Sequence, residues 1–472
     1  MSSFASLAST VPPPGLTVNA GLEIVLDLDK GRCLQTTRAL VPGELVYQEE
    51  ALVWAEFVEE CETRVNEGLL LRAYGKKVMS TIDELEEELA AFESVQSLDT
   101  ARSFFQLLAM VVLKDELQDK DEQLGRRIRL ALELTGGAKV RECTETCRSF
   151  RELHRNVIPK AISTEECGLL LARLNTNQVE LEELGGSGLF PNTAILEHNC
   201  NFNCSFTTNG STLFLTATRH IPANSRLSLD YLNGFYMPTP QRREELLSSY
   251  GFHCNCELCE APDCKRVFIL PAGSGCGCAG GRAFASPTSP PSGLALALVC
   301  TSCGSAVNNS ALAEACEERE RALLLSPPTS FAELEETLQQ EHLLHRDHYV
   351  FFDAQAELSL QAADSARSHR GGPQSPEAQQ LFRSALSAVQ ACRAQMSATL
   401  PAVHHEKVIF ADREGQLAVC VGETALAKRA FGEAYAHSVL CSSATSAATL
   451  AVKRLVDSTP RTIKELQAHY AT

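Results

Sequence analysis

The chain's densest chemistry lies in two cysteine-bearing stretches. They are Glu197-His198-Asn199-Cys200-Asn201-Phe202-Asn203-Cys204 and Tyr250-Gly251-Phe252-His253-Cys254-Asn255-Cys256-Glu257-Leu258-Cys259, with Leu229-Asp230-Tyr231-Leu232 between them. The second stretch carries C-x-C-x2-C, three thiols too closely spaced to be unrelated core cysteines. With Cys200 as a fourth thiol, Cys254, Cys256 and Cys259 make a donor set suited to a tetrahedral structural zinc ion. Such an ion ties position 200 to positions 254–259 and folds the polar and aromatic residues between them around one cleft. Cys276, Cys278, Cys300 and Cys303 form a second candidate set, C-x-C and C-x2-C separated by a Gly/Pro/Ser-rich gap, and Cys264 is a competing ligand. Either site is structural, with no open position for catalysis.

Composition narrows the setting. The 472 residues are enough for two to three domains. A formal charge of −17 argues against direct nucleic-acid binding, which needs clustered Lys and Arg, and fits protein partners, basic ones included. No apolar run reaches the ~18 residues of a membrane span. The opening MSSFASLASTVPPPG lacks a basic region followed by an apolar block, so secretion is not expected. Ten of the nineteen cysteines fall between Cys200 and Cys303, a concentration that favours metal binding over a disulfide scaffold. The others, Cys33, Cys61, Cys143, Cys147, Cys167, Cys316, Cys392, Cys420 and Cys441, read as small buried hydrophobes.

The elements that must position these residues are legible as pattern. Residues 1–15 read as a disordered lead. Residues 16–54 alternate as strands broken by Asp29-Lys30-Gly31-Arg32 and Pro42-Gly43, and 57–175 switch to helical spacing. Gly185-Gly186-Ser187-Gly188 reads as a turn into a strand, without the context of a phosphate loop. Strands follow over 204–231. A Cys/Gly/Pro/Ser-rich stretch occupies 260–310, and from about 312 onward Ala-rich amphipathic segments resemble a tetratricopeptide-like array without a strict period. His342, His345 and His348 read as a solvated helix side, His404-His405 as a loop pair, and Arg242-Arg243-Glu244-Glu245 as a charged helix face.

Taken in order, His198…Cys200…Asn203, Arg219-His220-Ile221, Tyr231-Leu232, Arg242-Arg243-Glu244-Glu245-Leu246, Tyr250 and C-x-C-x2-C resemble the C-terminal half of a SET domain. Gly31-Arg32-Cys33 and Thr37–Leu45 resemble its N-terminal lobe, and Gly188-Leu189-Phe190-Pro191 the lead-in to the family's Asn-His-Ser-Cys motif. The cysteine run and the helical tail resemble those of the SET-and-MYND (SMYD) lysine methyltransferases. The resemblance covers roughly 16–54 and 170–260 by motif, and 310–472 by helical character alone. It implies an α+β fold: a lead over 1–15, a SET N-terminal lobe over 16–56, and a helical insertion over 57–175 in place of the MYND module. A SET C-terminal core follows over 176–250, then a zinc-bound post-SET segment over 251–310 and a helical domain over 311–472. Residues 55–100 hold only Cys61, so the MYND module is expected to be missing.

The implied function is methyl transfer from S-adenosylmethionine to lysine on a protein substrate, histone or non-histone, by a monomeric cytoplasmic or nuclear protein. Tyr231 matches the family's catalytic tyrosine and Tyr250 the second tyrosine of the lysine channel. Cofactor contacts carry over to Lys30, Arg32, Asn175 (with Asn177 as its alternative), Glu197, His198 and Phe252. For His198 the backbone is expected to matter more than the ring. Three departures stand out. Glu197 replaces the family's Asn, exchanging an amide that donates for an acceptor-only carboxylate. Cys33 replaces the second glycine of a Gly-x-Gly turn, adding a Cβ where a ligand relies on close backbone approach. Asn224-Ser225-Arg226 replaces a Gly-Glu-Glu turn. Glu197 and Cys33 favour the alternative of a catalytically impaired scaffold that keeps the groove and helical domain for protein binding.

Overall fold

A computed structural model describes residues 13–17, 21–27, 31–55, 66–181, 183–232, 236–274, 276, 278, 280–287 and 296–470. Lys30 and Cys61, both singled out above, lie outside these residues. The described chain forms two compact units: residues up to 229 together with 245–252, and residues 230–244 together with 253 onward.

The first unit combines short sheets with a helical bundle. Strands β1 (Leu16–Thr17), β2 (Leu22–Asp27), β3 (Gly31–Thr36), β4 (Leu45–Glu50) and β5 (Val53–Ala55) come first. Seven helices follow: α1 (Glu67–Met79), α2 (Ile82–Ala90), α3 (Leu98–Val112), α4 (Lys114–Lys120), α5 (Glu122–Leu132), α6 (Val140–Leu153) and α7 (Thr164–Asn177). Strands β6 (Gln178–Leu181), β7 (Gly186–Leu189), β8 (Glu197–His198), β9 (Cys204–Asn209), β10 (Thr212–Ala217), β11 (Ser225–Arg226) and β12 (Ser228–Leu229) complete it. The sheet orders are β1-β4-β10-β9, β11-β3-β2 and β5-β7-β6, with β8 and β12 as a separate parallel pair.

The helical spacing read over 57–175 has its physical counterpart in one core, where Phe104, Phe105 and Phe150 are fully buried with Leu52, Val53 and Leu189 of the strands. Burying such a side chain is worth roughly 1.5–3 kcal/mol against leaving it in water. Helix α7 starts with a capping box: Ser163 Oγ accepts the Glu166 N–H (3.1 Å), and the Glu166 carboxylate accepts the Ser163 N–H (2.8 Å). The glycine stretch is the turn into a strand read for it, with residues 183–185 in a turn and Gly186 opening β7. Ser187 and Gly188 lie inside β7, paired on both sides, and a Cβ on Gly188 would sit 3.2 Å from that of Ala51.

The second unit begins with helix α8 (Thr239–Tyr250), whose last residues belong to the first unit, and α9 (Glu257–Glu260). A three-stranded antiparallel sheet follows, β13 (Asp263–Leu270), β14 (Gly281–Ala285) and β15 (Leu298–Cys300), in that spatial order. Eight helices complete it: α10 (Ser310–Leu325), α11 (Phe331–Gln340), α12 (Tyr349–Arg367), α13 (Pro376–Thr399), α14 (His405–Cys420), α15 (Thr424–Ser442), α16 (Ala447–Asp457) and α17 (Ile463–Tyr470). From α12 to α16 each helix packs on the next, the nearest-neighbour arrangement of helical arrays. The small-large pattern works here as contact: Phe431 of α15 lies so close to α14 that a Cβ on Gly415 would stand 2.5 Å from its ring. No helix among the described residues is long and apolar enough to cross a membrane.

The histidine cluster is not a solvated helix side. Residues 341–348 form an irregular approach to α12, His348 is wholly buried as its N-cap, and only His342 stands out in solvent. His348 sits beside a buried ion pair, in which the Arg266 guanidinium donates to both oxygens of Glu320 at 2.9 and 2.5 Å. Burial, with the Arg266 cation second, holds the His348 ring well below the ordinary histidine range. His404 caps α14, accepting the Glu406 N–H at Nδ1 (3.2 Å).

Candidate functional site

The site is built on β8 and β12. The buried Glu49 carboxylate accepts the N–H groups of Asn192 (2.8 Å) and Thr193 (2.9 Å), fixing the turn that leads into β8. Strand β8 then pairs in parallel with β12, Glu197 opposite Ser228 and His198 opposite Leu229, and the Asn199 N–H donates to Leu229 O (3.0 Å). Asn203 locks the two segments: its Nδ2 donates to Arg226 O and its Oδ1 accepts from Ser228 N, both at 2.8 Å. Asp230 and Tyr231 follow directly from this pair. The sequence showed Asn203 as a motif member without a role. Only the strand pairing shows that it holds the backbone just before Tyr231.

Glu197 is half-buried, and its carboxylate lies 3.6 Å from the Arg226 guanidinium, which also pairs with Asp27. A carboxylate at 197 and a cation at 226 therefore face each other. His198 is buried, with Nε2 3.2 Å from Cys200 Sγ and its ring tilted against Phe252 (centroids 6.0 Å apart). Its ring contacts a candidate ligand thiol, more than the backbone role read for it.

Gly31 opens β3 with φ +78°, where only glycine is unstrained, and a Cβ there would meet no described atom within 4 Å. Arg32 reaches across to the Glu133 carboxylate (2.6 Å). Cys33 is buried, its Sγ 3.8 Å from Gly31 O, so its side chain packs inward. Asn175 and Asn177 have distinct surroundings. The buried Asn175 amide donates to Ser94 O (2.7 Å) and Cys143 Sγ (3.4 Å), and its Oδ1 has no hydrogen-bond partner among the described residues. Asn177 donates to Thr135 O and Arg173 O, both at 2.8 Å.

Tyr250 ends α8 half-buried, and Phe252 is tilted against it with centroids 6.4 Å apart. Tyr231 is half-buried. Asp230 beside it titrates near 6, pushed up chiefly by burial.

The thiol donors of Cys200, Cys254, Cys256 and Cys259 lie within 4.8 Å of one another, and those of Cys276, Cys278, Cys300 and Cys303 form a second such set. Cys264 belongs to neither. Four thiolates meet zinc's preference for soft tetrahedral donors, so both sets suit that ion. The arginines read as a charged helix face turn inward instead. Arg242 is buried, donating to Met237 O (2.7 Å) and Thr239 Oγ1 (2.9 Å) and approaching Cys259 Sγ (3.7 Å). Arg243 donates to the carbonyls of Cys254, Cys259 and Pro287, each at 3.1 Å. Together they brace the cysteine loop, a role signalled in the sequence only by their place just before it.

Comparison with known proteins agrees with this geometry. Residues 31–232 match the SET domain, a span that begins at Gly31 and closes on Tyr231-Leu232. Mouse "Histone-lysine N-methyltransferase SMYD3" is 39% identical over 84 residues, 18% of this chain and 19% of that protein. Zebrafish "N-lysine methyltransferase SMYD2-A" is 36% identical over 114 residues, 23% of this chain and 25% of its own length. Human "N-lysine methyltransferase SMYD2" is 33% identical over 105 residues, 21% and 24%. The chain thus spans about a fifth to a quarter of the length of the curated relatives it matches. The matched span, with the β8–β12 pairing inside it, makes residues 31–232 a SET domain that is similar in part to the SMYD proteins compared.

Proposed function

We propose that this protein is a protein-lysine methyltransferase that uses S-adenosylmethionine. The observation that carries the reading is the parallel β8–β12 pair, which sets Tyr231 two residues beyond a backbone joined to His198, within a segment that matches a SET domain. Two features fit the methyl donor: open space at the left-handed Gly31, and the unpartnered buried Oδ1 of Asn175, an acceptor for a donor group. Arg32, Asn175, Glu197, His198 and Phe252, with Lys30, are the residues proposed to hold it. S-adenosylmethionine supplies a methyl group on a sulfonium, a bond that breaks with its electron pair going to sulfur. The chain's own residues prepare the other reactant. The Tyr231 and Tyr250 hydroxyls accept hydrogen bonds from a neutral lysine amine, and their rings keep the channel dry, which lowers the amine's pKa. Holding amine and methyl in line supplies up to ~7–11 kcal/mol of the barrier reduction. The proton displaced as the N–C bond forms leaves to solvent.

The remaining parts follow from the same reading. Zinc at Cys200, Cys254, Cys256 and Cys259 holds the segment that carries Phe252. The helices over 67–177 stand in place of a MYND module. The substrate is a lysine-bearing protein, attracted by the chain's net negative charge. A scaffold without catalysis is favoured by one observation, the engagement of Arg32 by Glu133.

Calorimetric titration of S-adenosylmethionine into zinc-loaded protein, with chelated protein as control, tests the reading. Micromolar or tighter binding is expected, followed by labelled methyl transfer to lysine peptides that Tyr231→Phe abolishes. Folded, metal-loaded protein that binds no cofactor overturns the proposal in favour of the scaffold.

A further inference from the structure

We propose that Cys276, Cys278, Cys300 and Cys303 hold a second structural zinc ion, separate from the one at Cys200, Cys254, Cys256 and Cys259, which closes the β13–β15 sheet. This inference is independent of the methyltransferase reading. Sheet topology supplies the first reason. Strand β14 pairs with both neighbours, Leu270 opposite Gly281 on one side and Ala283 opposite Cys300 on the other. The β13–β14 connection, which carries Cys276 and Cys278, and the exit of β15 at Cys300 therefore fall at the same end of the sheet. Thiols more than twenty residues apart arrive together because antiparallel order leaves them nowhere else to go.

Geometry supplies the second. All four sulfurs lie within 4.8 Å of one another. A tetrahedron of thiolates about 2.3 Å from zinc has edges of ~3.8 Å, and the Cys278 and Cys300 sulfurs stand 3.9 Å apart. The set is preformed to within a small contraction.

The turn after β15 fixes the backbone between the two thiols it carries, Cys300 and Cys303. Gly304, at φ +70°, returns its N–H to Cys300 O (2.9 Å), while Cys300 N donates to Ser305 O (3.0 Å). A side chain at 304 would be strained in that left-handed conformation. The site is also anchored on its apolar side. Cys300 is fully buried, and Cys276 and Cys278 pack against the core that includes Phe268, Phe351 and Phe352. Cys303 faces solvent, giving the ion an entry side.

Its role is mechanical. The ion's bonds hold Cys276 and Cys278 against the core on which they pack. Zinc at structural sites contributes directly to folding.

Metal analysis and protection from alkylation test this on the full-length protein. Two zinc ions per chain are expected, falling to one in Cys276→Ser and in Cys303→Ser while S-adenosylmethionine affinity stays within twofold of the parent. Should the variants fail to fold, the parent still decides. In native metal-loaded protein iodoacetamide should leave Cys276, Cys278, Cys300 and Cys303 unmodified, and chelator should expose all four. One zinc or none per parent chain, or alkylation of Cys303 at the same rate before and after chelation, overturns the site. So does an intact mass showing these cysteines as disulfides.

Discussion

The exchange at positions 197 and 226 makes a quantitative prediction. If the Arg226 cation keeps Glu197 compatible with a methyl-donor site, the two must be energetically coupled in cofactor binding. Their charged groups are 3.6 Å apart. Coulomb's law gives ~1 kcal/mol at that distance in water and ~2 kcal/mol at an effective dielectric of ~40. Arg226 is 37% exposed and shares its charge with Asp27, so screening reduces this to ~0.5–1 kcal/mol. Arg226→Ala should therefore weaken S-adenosylmethionine binding by about two- to fivefold. Arg226→Glu, which gathers a third carboxylate beside Asp27 and Glu197, should weaken it further. In Glu197→Asn the cation has lost this partner, so adding Arg226→Ala should cost little more. Calorimetry on the four members of the Glu197→Asn, Arg226→Ala cycle measures the coupling. Additivity within ~0.3 kcal/mol, the behaviour of independent sites, would refute the idea that these departures compensate. A large gain of activity in Glu197→Asn alone would show an impaired cofactor site, and a loss would mark Glu197 as a working ligand.

Other outcomes follow from the same structure. Tyr231→Phe should lower methyl transfer by ~100-fold or more, the scale for removing one preorganised hydrogen-bonding group from a reacting centre, while cofactor affinity stays unchanged in the same calorimeter. Glu320→Ala should destabilise the second unit by ~3–5 kcal/mol because it leaves the Arg266 cation buried alone. The double variant Glu320→Leu, Arg266→Met should recover most of that loss in urea unfolding. Chelating the zinc at Cys200, Cys254, Cys256 and Cys259 should lower the melting temperature and abolish cofactor binding together. His404 is depressed from 6.5 to about 4, by burial first and then by the nearby Lys265 cation. Its folded-state pKa lies below its unfolded value, so its contribution is complete above about pH 6.5 and is lost as pH falls toward 4. His404→Asn keeps a capping acceptor and should flatten the urea midpoint across that window; an unchanged slope would remove His404 from the cause.

How much of this was legible beforehand depends on the range of the interaction. C-x-C-x2-C, the helical spacing of 57–175 and the Ala-rich tail are local signals, set by ligand geometry and backbone period within a few residues. The chain's pattern alone was enough for an α+β fold, two candidate thiol sets and the comparison with SMYD proteins. The partners of charged and polar side chains were beyond it. Arg242 and Arg243 looked like a solvated face because helical spacing says nothing about a cysteine loop folding back over it. His348 looked exposed because its charged neighbours, Arg266 on β13 and Glu320 on α10, lie far from it in sequence. The Glu197 and Arg226 departures were separate features of the sequence, and only the fold brings their side chains within 3.6 Å. Composition and period determine which segments form and which faces are apolar, since those follow from the chain's own geometry. Only tertiary structure decides where each charge finds its counterpart, because a Coulomb partner is chosen by distance in space.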